Sequence, residues 1–366
     1  MTRHNMKRLL ISTEPIGGTW RSTMELVREF DRHGLEVVLA TIGPRLTDEQ
    51  RHETRELQHV TLCERGCRVP ADWTAEAWDD VDETGQWLLD LARRYEPDLV
   101  QMTSLFHGAL PWRVPSVIVP HSCEIGRWEA VHGTTPPASL DAYRRRVRDS
   151  LTAADLIITP TGAMLDQLEK VYGRLPHAQV VWHSRRHDAF HCGPKVPMVF
   201  GSGRVWDPAK NLAALDRAAG HLSWPAAISG EVCGPHGEVV TLANAQWMGV
   251  LTPQDQASRL SSARVFCLPA RYEPSGIGIT EAALSGCALV LGDLPSMKEL
   301  WSDAALFVPP GDDAAVASTL EWLSEHPVEC DRLANQAHAV AEAWTPAAMA
   351  GTYLARYRST CAALVA

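Results

Sequence analysis

The sequence predicts an α/β protein built from two doubly wound parallel-sheet halves. Short apolar runs alternate with helix-period stretches almost throughout, the pattern of parallel strand–helix–strand units. The alternation breaks once, over residues 184–195 (SRRHDAFHCGPK), which are polar, contain Gly and Pro and show no period. The chain has 366 residues, enough for an ordinary domain on each side of that break. The expected boundaries are therefore 1–184, a linker at 185–195, and a second half that begins at 196. Two such halves are expected to enclose a ligand cleft, with binding outside the carboxyl ends of the strands.

The elements follow in order. Lys7 to Thr13 reads as a strand, and Gly17 and Gly18 as a turn into a helix from about Trp20 to His33, closed by Gly34. Leu35 to Thr41 is the next strand. A long helix from Thr74 to Tyr95 is stopped by Pro97. Strands at Asp98–Thr103 and Ser116–Pro120 precede a helix at Leu140–Ala153, a strand at Leu156–Thr159, a helix at Ala163–Tyr172 and a strand at Gln179–Trp182. The second series starts with the strand Val196–Phe200 and the helix Asn211–Ala219, and passes through a poorly defined middle. It then reaches an apolar strand at Ala263–Ala270, a turn, a helix ending at Gly286 and a strand at Ala288–Leu291. Leu306–Val308 is a strand and Ala314–Ser324 a helix. Two closing helices, about Val328–Trp344 and Pro346–Leu364, have no strand between them. Residues 44–75 and 122–140 read as loops expected to face the second substrate, the acceptor.

Composition excludes several classes. The net charge of -10 argues against nucleic acid as the main partner. No apolar run approaches the roughly 20 residues of a membrane span. The opening MTRHNMKRLLIST is broken by Glu14 and Pro15 and reads as a first strand, not a signal peptide, so a cytoplasmic location is expected. The nine cysteines are scattered, and Cys63 and Cys67 lack a second pair for a zinc site; reduced thiols are expected. Asp and Glu show no metal-ligand spacing.

The chemistry concentrates in Arg271–Glu299 (RYEPSGIGITEAALSGCALVLGDLPSMKE). Glu273 precedes Pro274, hence extended backbone, while Glu281 lies roughly one turn into the following helix. Ser275, Gly276 and Ile277 fall at that helix's N-terminus, where amides suit an anion and a glycine admits a ligand closely. Ionised carboxylates are acceptors only, which suits the hydroxyls of ribose or a sugar. Upstream, Gly203-Arg204 ends the first strand of the second half and Lys210 begins the next helix; two cations there form a diphosphate clamp. Taken singly, a surface Arg and Lys on a turn would explain that pair as well. In the first half, Gly17 and Gly18 allow close backbone approach, but the full G-x-G-x-x-G spacing and an acidic ribose partner are missing. That argues against nicotinamide or flavin. His121 (VPHS) and His107 (FHG) follow strands and are candidate proton carriers or hydroxyl partners, with His121 favoured. Arg144, Arg145, Arg146 and Arg148 form the strongest basic cluster. A solvated helix face is its ordinary explanation, contact with anionic head groups the sharper one.

Together these residues resemble the GT4-type family of retaining, nucleotide-sugar-dependent glycosyltransferases with the GT-B fold. Glu273-Pro-Ser-Gly…Glu281 resembles that family's E-x7-E motif, continued by Gly286-Cys-Ala-Leu-Val and Pro295…Glu299-Leu. Gly203-Arg204…Lys210-Asn211 is similar to its diphosphate clamp, Gly17-Gly18 to its first-domain glycine loop, and His121 falls where the family often has an active-site histidine. The similarity spans nearly the whole chain. Two departures stand out: Ser275 replaces a common aromatic, and Trp182-His183-Ser184 replaces the usual Pro-Asn-Gly.

The resemblance implies two Rossmann-like domains facing a central cleft. The donor side would be 196–345, and a last helix, about 346–366, would pack back on the acceptor side. It implies that Arg204 and Lys210 neutralise the leaving diphosphate, Glu281 binds the ribose, Glu273 contacts the donor sugar, and the amides near Gly276 and Ile277 contact sugar or phosphate. The expected activity moves a sugar from a nucleoside-diphosphate sugar to a carbohydrate, lipid-linked or small-molecule hydroxyl, with retention and without metal or cofactor. A sugar-nucleotide epimerase or hydrolase of the same fold, or a non-catalytic nucleotide-sugar binder, is the alternative.

Overall fold

The computed structural model describes residues 6–67 and 75–363. The chain divides into two units. One comprises residues 1–126, 135–183 and 346–366; the other comprises 127–134 and 184–345.

In the first unit seven parallel strands run in the order β3-β2-β1-β4-β5-β6-β7. They are β1 (Arg8–Thr13), β2 (Glu36–Gly43), β3 (Val60–Gly66), β4 (Leu99–Met102), β5 (Ser116–Ile118), β6 (Leu156–Thr159) and β7 (Ala178–Val180). The central strands are continuous apolar runs because helices cover both faces of such a sheet. The helices are α1 (Gly17–Arg32), α2 (Asp48–Arg55), α3 (Ala75–Tyr95), α4 (Glu124–His132), α5 (Asp141–Ala153) and α6 (Gly162–Tyr172). From Arg127 onward, α4 and the loop to Thr134 group with the second unit.

The second unit has a six-stranded parallel sheet in the order β10-β9-β8-β11-β12-β13. Its strands are β8 (Val196–Ser202), β9 (Ala226–Ser229), β10 (Gln246–Trp247), β11 (Ala263–Leu268), β12 (Ala288–Gly292) and β13 (Ala305–Val308). They alternate with α7 (Leu212–Ala219), α8 (Pro253–Ser262), α9 (Ile277–Leu284), α10 (Pro295–Trp301), α11 (Asp313–Glu325) and α12 (Pro327–Glu342). The closing helix α13 (Pro346–Ala363) belongs to the first unit, where Met349, Tyr353 and Tyr357 join the core beside α1.

Strand order reverses between β8 and β11, so the loops leaving these neighbouring strands diverge and open a crevice at their carboxyl ends. The loop after β8 carries Arg204 and Lys210, and the loop after β11 carries Glu273. A close backbone approach fixes the first of these loops: a Cβ on Gly230 would lie 1.7 Å from the carbonyl oxygen of Gly203.

Several expectations change. Residues 44–75 and 122–140 are not plain loops; they contain α2, β3 and the whole of α4. Both α2 (DEQRHETR) and β3 (VTLCERG) bury little, so neither shows the apolar pattern that reveals an element. Gly17 and Gly18 are not a turn before the first helix but its first residues, with Gly17 at φ +49. The expected helix start at Thr74, residues 68–74 of the expected loop, and the helix end at Leu364 lie outside the described residues.

Candidate donor site at the strand switch point

Lys210 and Glu273 meet directly, Nζ to Oε2. Backbone bonds set that meeting: Arg271 and Tyr272 both donate from N–H to the Ala209 carbonyl, at 2.8 and 3.2 Å. Asn211, held left-handed at φ +54, donates its amide to the carbonyls of Pro269 (2.8 Å) and Pro310 (2.7 Å). One residue thereby ties the loops after β8, β11 and β13 together.

Glu273 is almost fully buried. Its Oε1 accepts from the N–H groups of Gly276 (2.9 Å) and Ser275 (3.4 Å), and its carbonyl accepts from Ser296 Oγ at 2.6 Å. Burial alone would raise its pKa. The Lys210 charge and hydrogen bond, with the two amides, outweigh burial and hold the carboxyl below its ordinary range. The Ser275 and Gly276 amides, expected to seat a ligand anion, bond a protein carboxylate. They serve Glu273, because its carboxylate is the nearest anion to that helix start. The helix geometry leaves the N–H groups of Ile277 and Gly278, in the first turn of α9, without an intrahelical acceptor. Gly276 takes the left-handed conformation at φ +66, and a Cβ at Gly278 would meet nothing within 4 Å, so the approach to that turn is open.

Arg204 is half-exposed. Its Nη2 donates to Asp207 Oδ2 at 2.6 Å, and its guanidinium lies 5.4 Å from the Trp206 ring centroid. Asp207 is buried and takes a second guanidinium: Arg127 Nη2 donates to Oδ1 at 2.7 Å, and the Ala209 N–H donates to the same oxygen at 3.0 Å. Burial would raise the Asp207 carboxyl, but Arg204 and Arg127 hold it below its usual range.

Glu281 lies more than a turn into α9 and is buried, with Arg185 Nε 3.0 Å from its Oε1. The Arg185 guanidinium also lies 5.5 Å from the Phe190 ring centroid. The expected linker thus supplies a site cation. Sequence reasoning gave no role to Asp207, Arg127, Asn211 or Arg185; only Asp207 and Asn211, inside the Gly203–Asn211 string, carried any local signal.

In the first unit, His121 follows β5 and His183 follows β7, their ring centroids 5.0 Å apart. Burial first, and then His183, puts the His121 imidazole well below its usual pKa; burial takes His183 to about 4. His107 is buried, with Nε2 3.0 Å from the Val81 carbonyl, a contact that anchors α3. Of the basic cluster, Arg144 pairs with Asp141 at 3.4 Å. Arg146 pairs with Asp82 at 2.5 Å and lies over Trp78, while Arg145 and Arg148 are exposed. Among the described residues all nine cysteines are free thiols, and no group of three or more His, Cys, Asp or Glu is placed to hold a metal. No described helix is long and apolar enough to cross a membrane.

Residues 16–184 match the family model described as Glycosyltransferase Family 4, and residues 240–340 the one described as Glycosyl transferases group 1. The D-rhamnosyltransferase WbpZ of Pseudomonas aeruginosa is 28% identical over 159 residues, 40% of this chain and 40% of that protein. Among solved structures, sucrose-phosphate synthase of Thermosynechococcus elongatus has a TM-score of 0.79 at 14% identity, over 98% of this chain and 100% of that one. Anabaena HepE in complex with UDP and glucose has a TM-score of 0.74 at 16% identity, over 97% of this chain and 100% of that one. These likenesses establish a shared fold of two Rossmann-like domains.

Proposed function

The chain belongs to the GT-B glycosyltransferases of family 4 and group 1, and from that premise we propose that it moves a sugar from a nucleoside-diphosphate sugar to a hydroxyl acceptor, retaining the anomeric configuration and requiring no metal. The observation that carries this reading is the meeting of Lys210 and Glu273 from the two loops that leave β8 and β11, where strand order reverses, with Arg204 on the first of those loops.

In such a transfer the bond between the anomeric carbon and the diphosphate breaks, and negative charge grows on the leaving group. Cations already fixed at that position stabilise the transition state without reorganising. Lys210 is fixed by Glu273, and Arg204 is kept close by Asp207, from which it would pass to the bound diphosphate; together they would do what a divalent cation does elsewhere. Glu273 remains ionised through its contact with Lys210 and so stays an acceptor for donor-sugar hydroxyls. Glu281, oriented by Arg185, would receive the ribose. His121, kept neutral by burial, would offer the acceptor hydroxyl a hydrogen-bond partner. The acceptor is proposed to be a carbohydrate, a lipid-linked sugar or a small alcohol. Arg145 and Arg148 would contribute to any contact with an anionic membrane surface.

A thermal-shift screen against UDP-, GDP- and ADP-sugars, with a D-rhamnosyl nucleotide included because of the relative above, identifies the donor, since a ligand that binds only the native state raises the melting point. With that donor, Arg204→Ala and Lys210→Ala are each expected to lower turnover by about 10²-fold or more, the usual scale for losing a transition-state charge partner. Near-wild-type rates in both variants would sink the proposal. Full activity in excess EDTA, and a product with the donor's anomeric configuration, are the expected results for the finer points.

A further inference from the structure

Asp207 is an anion at the centre of a site meant to attract one. Its Oδ2 holds Arg204 at 2.6 Å, while its Oδ1 holds Arg127 at 2.7 Å and the Ala209 N–H at 3.0 Å. Its backbone is equally committed: the Lys210 N–H donates to its carbonyl at 3.0 Å, and its own N–H donates to the Arg204 carbonyl at 3.1 Å. The two arginines differ in exposure. The Arg204 side chain is 46% accessible, that of Arg127 22%, and that of Asp207 0%. The inner guanidinium and the amide can therefore satisfy the buried carboxylate while the outer guanidinium swings to a ligand.

We propose that Asp207 and Arg127 form a counter-ion pair that sets how firmly Arg204 is held back from the diphosphate: Asp207 restrains it, and Arg127, by neutralising Asp207, releases it. Both are positioning residues, and this rests on the glycosyl-transfer reading of the site. No group leaves the protein and no proton moves; one guanidinium exchanges a carboxylate for a phosphate. With Arg204 in place the two arginines outweigh burial and hold the Asp207 carboxyl below the ordinary range; when Arg204 leaves, Arg127 and the Ala209 N–H remain on its Oδ1. The arrangement serves turnover, because Asp207 competes with the spent diphosphate for Arg204 and so speeds its release.

Charge bookkeeping gives a signature that loss of structure does not. Asp207→Asn removes the restraining charge, so the site becomes more positive and a nucleoside diphosphate binds tighter. Arg127→Gln leaves Asp207 with Arg204 alone, so the diphosphate binds more weakly. A merely structural role predicts weaker binding in both. Calorimetric titration of UDP, GDP and ADP into the full chain, wild type and variants, measures this. For whichever nucleotide the wild type binds, roughly three- to tenfold shifts of opposite sign are expected, the scale of a partly exposed charge pair. The double variant is expected to match Asp207→Asn, since Arg127 acts through Asp207. Shifts of the same sign, or an unchanged affinity in Arg127→Gln, overturn the inference while leaving glycosyl transfer standing. No wild-type binding to any of the three overturns the transfer reading and the inference with it. Should Asp207→Asn fail to fold, as circular dichroism would show, Arg127→Gln decides: weakened binding restored by Arg127→Lys supports the inference, and binding that Lys does not restore overturns it.

Discussion

His183 shows how a single buried imidazole writes itself into the stability of the fold. It ends up beside His121, and burial lowers its pKa from about 6.5 to about 4. The native state therefore keeps it neutral where the unfolded chain already protonates it. A depressed histidine pKa means that the unfolded state binds more protons between those two values, so stability falls as pH drops from about 6.5 towards 4 and levels off below. Fully expressed, the loss is about 3 kcal/mol for a shift of this size. His183→Gln, which cannot protonate, is expected to make that limb shallower in urea titrations at stepped pH, the remainder coming from other buried imidazoles such as His121; an unchanged slope would show that His183 does not contribute. In the sequence this residue was visible only as a departure from Pro-Asn-Gly. Asp207 lay inside a recognisable string, but its role was hidden: its partner Arg127 is 80 residues away, and an Asp before Pro reads as turn chemistry until the fold brings that guanidinium in. Arg204, Lys210 and Glu273 stood out because each lies in a short string that can be read on its own, although Lys210 and Glu273 are 63 residues apart.

At the scale of elements, the N-terminus of α9 is where sequence chemistry becomes a binding surface. Its two glycines do different work. Gly276 sits at φ +66, so Gly276→Ala is expected to cost about 1–2 kcal/mol in urea denaturation. Gly278 lies inside the helix with open space around its missing Cβ, so Gly278→Ala is expected to stabilise the protein by about 0.5–1 kcal/mol. If the first-turn amides seat a phosphate, the same methyl group obstructs it, and the more stable variant binds its nucleotide less well. Higher stability with undiminished nucleotide affinity would mean that the donor does not use this turn. Elements with long apolar runs, such as β11 and β12, were readable from sequence because both sheet faces are covered. Those that escaped had weak patterns for physical reasons. β10 is a two-residue edge strand with both side chains exposed, α2 buries one residue, and α10 is a seven-residue helix begun by Pro295. The Gly17-Gly18 turn was misread because Gly17, although at positive φ, already belongs to the helix.

For the whole molecule, the informative fact is that the first unit is completed by the last helix. The contacts of α13 skip the entire second unit in sequence, so the chain must leave the first unit, build the second and return before the first core is closed. Tyr357 is the key piece. It is fully buried, lies 6.1 Å from the Phe30 ring of α1, packs edge-on with Tyr353, and its hydroxyl donates to Gln101 Oε1 on β4. Packing and hydrogen bond separate by mutation. Tyr357→Phe keeps the ring and strips Gln101 of a buried partner, for about 1–2 kcal/mol. Tyr357→Ala removes the ring as well and leaves a cavity against α1, for about 3–5 kcal/mol. Chemical denaturation of the two variants is expected to show that ordering. Equal losses would mean that the hydroxyl alone matters and that α13 merely lies along a core already closed. The larger loss in Ala would establish that the first Rossmann-like unit depends on residues more than three hundred positions downstream of its first strand, so truncation before Pro346 would leave that unit with an open face.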